Sequence, residues 1–147
     1  MSARGGFTLI EMICGLAIMA LVAALALPAI PRGTSQPRLR AYAVEIASLL
    51  ASDHVAAMRG DAAIDTAIDV PGRTVRAGAS ARRVALPADV DLEATLAARC
   101  GGARKGRAIT FTPDGMSCGG VVALVRAGAG FEVGIDWLTG GIDIAPR

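Results

Sequence analysis

Apolar positions follow three different rhythms along this chain. Residues 7 to 27, FTLIEMICGLAIMALVAALAL, are apolar on every side, with Glu11 the only charged side chain and Cys14 the only other ionisable one. No period sets a polar face apart, so the run predicts a helix with apolar surroundings all round. About 20 residues at about 1.5 Å each reach about 30 Å, the thickness of a bilayer core. From 36 to 60 the rhythm turns helical and one-sided. Leu39, Ala43, Ile46, Leu50 and Ala57 share a face, while Arg40, Glu45 and Asp53 favour others. This predicts an amphipathic helix that stops at Gly60. Pro28 lies in the last turn of the apolar run, and Pro31, Gly33 and Pro37 follow, so a break or bend is expected between 28 and 37.

Beyond residue 63 the period falls to two. AIDTAIDV (63 to 70) alternates and is closed by Pro71-Gly72. RTVRA, ARRVAL and the segment before Leu92 are weaker strand candidates, with Pro87 ending one of them. EATLAAR (93 to 99) reads as a short helical turn or loop. RAITFTP (107 to 113), GVVALVR (120 to 126), FEVGIDW (131 to 137) and GIDIAP (141 to 146) read as successive strands. Asp114-Gly115, Gly128-Ala129-Gly130 and Thr139-Gly140-Gly141 supply the turns. The expected fold is α+β: a long amino-terminal helix, its second half packed on an antiparallel meander.

Composition decides between readings of the first run. Of 147 residues, 53% are hydrophobic but only 3% aromatic, so any core is built from Ala, Val, Leu and Ile. A domain so poor in large side chains could hardly surround a wholly apolar helix. The run is also longer than the apolar region of an ordinary cleaved signal, and Arg4 is the only basic side chain before it, although LVAALALPAI offers an A-x-A-like site. Arginines flank both ends (Arg4; Arg32, Arg38 and Arg40), which leaves membrane orientation open. The net charge of +2 points to no polyanionic partner.

Catalytic chemistry finds no support. HExxH, GxSxG and P-loop patterns are missing, and Ser117 would need His54 from a distant helix to act as a nucleophile. His54 reads as a polar residue on a helix surface. No catalytic residue, cofactor or metal site is expected.

One oddity is left: an acid inside an apolar run, costing about 3 kcal/mol at a membrane centre and less near an end. The stretch RGGFTLIEM (4 to 12) accounts for it. GGFTLIEM resembles the leader of type IV pilins and type II secretion pseudopilins. The resemblance implies cleavage between Gly6 and Phe7 by a prepilin peptidase, then N-methylation of Phe7. It also implies a cytoplasmic amino end and a periplasmic carboxyl end. Glu11 lies four residues beyond Phe7, on the same helix face. The resemblance makes it the assembly residue that meets the terminal amine of a neighbouring subunit; snorkelling to the interface is the plainer alternative. Pro28 matches the proline at which such helices soften.

The carboxyl part narrows the resemblance. FTPDGMSCGGVVALV and FEVGIDWLTGGI are similar to the H-type minor pseudopilins of type II secretion, the GspH/FimT group. The matching positions are Phe111, Pro113, Asp114, Gly115, Ser117, Gly119 and Gly120, then Asp136, Trp137, Thr139 and Gly140. Residues 61 to 106 carry no such match. In an oxidising periplasm Cys100 and Cys118 are candidates for a disulfide closing a loop of roughly 19 residues, worth about 3 kcal/mol. Cys14 reads as an apolar packing residue.

The implied organisation is a leader (1–6), a transmembrane helix (7–30), a periplasmic helical half (31–60) and a β-rich periplasmic domain (61–147). The implied role is a structural subunit at or near the tip of the inner-membrane pseudopilus, helping to export folded proteins. Expected partners are other minor and major pseudopilins, the assembly platform, the prepilin peptidase and exported proteins. The alternative is a FimT-like type IV minor pilin that binds DNA through Arg99, Arg104, Lys105 and Arg107, against which stands the commoner reading of a short basic run as a solvated loop.

Overall fold

The computed structural model describes residues 8–26 and 33–147, in two units that divide after Arg32. Gly6, Phe7 and Pro28, with the cleavage and helix break assigned to them, lie outside the described residues.

The first unit contributes helix α1, Leu9–Ala26. Its side chains from Leu9 to Ala24 are all exposed, Leu9 at 81% and Met19 at 74%. Eighteen residues reach only about 27 Å. Among the described residues no helix is long and apolar enough to cross a membrane.

The second unit begins with α2, Gln36–Gly60. Pro37 does not interrupt this helix. It sits in the first turn, where its missing N–H would have no intrahelical partner anyway. Gly60 remains helical, and Asp61 takes the left-handed conformation that ends the helix (φ 48°), a role short polar residues can fill. The apolar face read from the sequence is the buried one, joined by Leu49. Just before the helix, Thr34 donates its amide (2.6 Å) and hydroxyl (3.0 Å) to Asp89, which also accepts from Arg126 Nε at 2.8 Å. These bonds tie the start of α2 to the sheet region.

Strands β1 (Ile64–Asp69), β2 (Thr74–Arg76) and β3 (Arg83–Ala85) form a sheet with β7 (Ala108–Phe111), in the order β3-β2-β1-β7. A second sheet, β10-β9-β8-β4, contains β4 (Asp91–Leu96), β8 (Gly120–Arg126), β9 (Ala129–Ile135) and β10 (Ile142–Pro146). A two-stranded ribbon, β5 (Arg99–Cys100) with β6 (Ala103–Arg104), lies between them in sequence. All pairings are antiparallel.

Two expectations are corrected. The last four strands are not one meander: β7 pairs with β1, and only β8, β9 and β10 run on as a meander. The stretch expected as a helical turn or loop is mostly strand β4, aligned along β8 from Asp91↔Val125 to Leu96↔Gly120. Helix-friendly Glu, Ala and Leu yield there to cross-strand pairing and to the burial of Leu92. Helix α2 packs against strands of both sheets, and one core gathers Leu50 and Ile46 with Ile109, Phe111, Val122 and Val133.

Candidate functional site

Glu11 stands in the first turn of α1, three residues after Thr8. Its carboxylate accepts from the Thr8 amide and hydroxyl, each at 3.3 Å. Thr-x-x-Glu is the sequence of a capping box, and the acid here satisfies a helix-end amide that would otherwise lack a partner. Snorkelling and intersubunit pairing therefore do not exhaust its options, since Glu11 also has a local role. Cys14, on the same helix, is a free thiol and exposed.

The two motif stretches at the carboxyl end fold against each other. In the first, Thr112 and Met116 close a turn: the Thr112 amide donates to the Met116 carbonyl (2.9 Å), and the Gly115 amide to Thr112 (3.0 Å). Asp114 accepts from the Thr112 hydroxyl and the Met116 amide, bonds that hold its carboxyl below the usual carboxylate range, the Thr112 hydroxyl contributing most. In the second, Asp136 Oδ1 accepts from the Thr139 amide and hydroxyl (both 2.8 Å) and the Leu138 amide (3.0 Å). The Thr139 amide is the largest cause of its lowered pKa. Ser117 joins the two turns: its amide donates to the Trp137 carbonyl (3.0 Å) and its hydroxyl to the Asp136 carbonyl (2.9 Å). That hydroxyl also accepts from the Gly119 amide, and Ser117 is only 9% exposed. Its position in the motif is thus spent on structure.

His54 completes the clamp and corrects its sequence reading as a surface residue. Half-buried, it donates from Nε2 to the Gly115 carbonyl at 2.9 Å, and its ring lies 5.3 Å from that of Phe111. The carbonyl can only accept, so Nε2 carries the hydrogen. Gly140, at φ +62°, lies so close that a Cβ would stand 2.5 Å from His54 Nε2 and 2.7 Å from the Gly115 oxygen. A larger residue there has neither the space nor the backbone freedom. The clamp presents Trp137 and Leu138 to solvent at 64% and 55% exposure. Trp137 also walls an open groove of about 490 Å³ shared with Leu96, Gly119, Gly120 and Ile135.

Cys100 and Cys118 are joined as a disulfide, Cα atoms 5.7 Å apart, tying the β5–β6 ribbon to the first motif turn. Of the basic run, Arg99 and Arg107 are exposed. Lys105 pairs with Asp65, which also accepts from the Thr110 hydroxyl at 2.6 Å. Burial alone would raise the Asp65 carboxyl, but Lys105 and Thr110 together hold it below its ordinary value.

Sequence reasoning missed Asp53. Placed on a polar face by spacing, it is fully buried, accepting from the Thr66 hydroxyl (2.6 Å) and the amides of Gly78 (2.8 Å) and Ala79 (3.1 Å). No local signal could have found it, because all three partners come from beyond the helix. Among the described residues no cluster of His, Cys, Asp or Glu could hold a metal ion.

Comparison with known proteins fits this picture. Residues 1–27 match the model of the prokaryotic N-terminal methylation motif. No curated protein sequence matches the chain significantly. Its fold is similar to that of the minor pseudopilin EpsH from the Type 2 Secretion System of Vibrio cholerae (12% identity, TM-score 0.57, covering 73% of this chain and 95% of that one). It is equally similar to the type IV minor pilin FimU of Pseudomonas aeruginosa (20% identity, TM-score 0.57, 77% and 92%), and a second crystal form of FimU gives a TM-score of 0.55. These proteins are structural subunits, not enzymes. Motif and fold indicate a prepilin-peptidase substrate of the pilin and pseudopilin kind, and the motif suggests a membrane anchor with a periplasmic domain.

Proposed function

We propose that this chain is a minor pseudopilin of a type II secretion system, a subunit at or near the tip of the inner-membrane pseudopilus. The observation that carries the reading is the clamp between Thr112–Gly119 and Asp136–Gly141, built from the residues that resemble the H-type pseudopilins. In this reading the peptidase cuts between Gly6 and Phe7, residues 7–30 anchor the subunit, and Pro28 loosens the helix before the periplasmic part. Glu11 leaves its local cap for the methylated amine of a neighbour, an exchange favoured where water is scarce and a charge pair is strong. The domain contributes shape and contact surface rather than chemistry.

A second reading, a type IV minor pilin that binds DNA, is favoured by the likeness to FimU and by the exposed Arg99 and Arg107. The Lys105–Asp65 pair weakens it by neutralising one cation of the patch.

Deleting the gene and complementing it separates the two. Loss of exoproteins from the medium, restored by the wild-type chain and not by Glu11→Leu, is the expected result. Intact secretion with loss of DNA uptake would replace the first reading by the second. Salt-sensitive retention of the detergent-solubilised chain on DNA would point the same way.

A further inference from the structure

The outward faces of the two sheets carry opposite charge. In the first sheet Val75 and Val84 turn into the core, so Arg76 and Arg83 turn outward. They are direct partners in the β2–β3 register, and Arg82 is exposed beside them. Side chains opposite one another in an antiparallel pair stand about 5 Å apart at Cβ, and like charges placed so are destabilising. No carboxylate among the described residues pairs with any of the three. A single charge on edge strand β3 would suffice to deter stray strand pairing; two opposed arginines go further.

In the second sheet Leu92, Val122 and Val133 turn inward, leaving Asp91, Glu93, Glu132 and Asp143 outward. Arg147 bridges Glu93 and Glu132, leaving Asp91 and Asp143 without a cation. Both faces are open, since Arg76, Arg83, Asp91 and Asp143 are all exposed.

We infer that the Arg76–Arg83 face of one copy docks on the Asp91–Asp143 face of a second copy. The two faces are distinct, so each copy keeps one of each free after the first contact. Such a contact is heterologous and extends into a ring or an open row. Carboxylates of the second copy would relieve the repulsion between the arginines, and guanidinium forks suit that pairing. The inference rests on the globular unit and not on the secretion reading. Glu11→Leu should leave this association unchanged even where it blocks assembly.

The test is sedimentation velocity of the full-length chain in uncharged detergent, at about 20 mM and about 500 mM salt. Concentration-dependent species are expected at low salt and only single-copy micelles at high salt. Arg76→Glu with Arg83→Glu should weaken association about tenfold or more, as should Asp91→Lys with Asp143→Lys. Mixing the two variants should restore it, because the new acidic face then meets the new basic one. Arg83→Glu alone provides a contrasting readout: it creates a cross-strand ion pair with Arg76, so unfolding should shift slightly upward while association falls. A chain that stays single-copy at low salt overturns the inference. So do association that survives high salt or both double variants, and failure of the mixture to recover.

Discussion

The two helices have similar appetites for apolar surroundings and meet them differently. In α1 every side chain from Leu9 to Ala24 is exposed, with apolar residues on all sides of the helix. In α2 the apolar residues are confined to one face, and Leu39, Ile46, Leu49 and Leu50 are at most 1% exposed. The contrast teaches where each helix finds its stabilisation. The chain's own core supplies it for α2, whereas α1 has to take it from outside, from lipid or from neighbouring subunits.

The same chemical change should therefore give opposite results in the two helices. Leu50→Ala is expected to destabilise the domain by roughly 3 to 5 kcal/mol, the range for emptying a tightly packed site. Denaturation in detergent, followed by the far-ultraviolet signal of the sheets, checks it. Next comes Asp53→Ala, at roughly 2 to 4 kcal/mol, because the Thr66 hydroxyl and two buried amides lose their acceptor. Asp53→Asn should recover part of that loss. If both Asp53 variants are neutral, the acid does not anchor α2 as described. Gly140→Ala should cost about 2 kcal/mol, through its positive φ and the missing space beside His54.

A smaller effect is expected from acid. Asp89 is held below its ordinary carboxylate value, first by the Thr34 amide, and Asp136 first by the Thr139 amide. A depressed carboxyl contributes stability that is complete above the unfolded value, about pH 4, and is lost as pH falls through the folded one. The unfolding midpoint should thus be flat from about pH 7 to about pH 5 and decline below about pH 4. Asp89→Asn should shallow that decline. A midpoint that rises on acidification would contradict the assignment. Smallest of all, Leu16→Ala in α1 should change domain stability by less than about 0.5 kcal/mol; a larger loss would mean that α1 draws on the domain core after all.

Much of the fold could be read in the chain. The extent of α2, its buried face, strand β1 and the meander from β8 to β10 all follow from local period and turn residues. Glu11 could be singled out because an acid in an apolar run is conspicuous wherever it falls. Asp53 could not, because on a helical projection it sits beside polar neighbours and its partners arrive from Thr66, Gly78 and Ala79. His54 was misread for the same reason, its acceptor being 61 residues away. Strand β4 was hidden by helix-forming residues, and it is a strand only because β8 lies alongside.

Periodicity by itself determined which residues seek apolar surroundings and on which side, since that demand is written every two or three to four positions. Tertiary structure alone decided that β7 leaves its sequence neighbours for β1, that the two motif turns close on His54, and that Arg76 and Arg83 face one another. Those outcomes depend on pairings between segments far apart along the chain. A hydrogen bond or a repulsion across such a distance leaves no local trace, because either residue alone has the same chemistry with or without its partner.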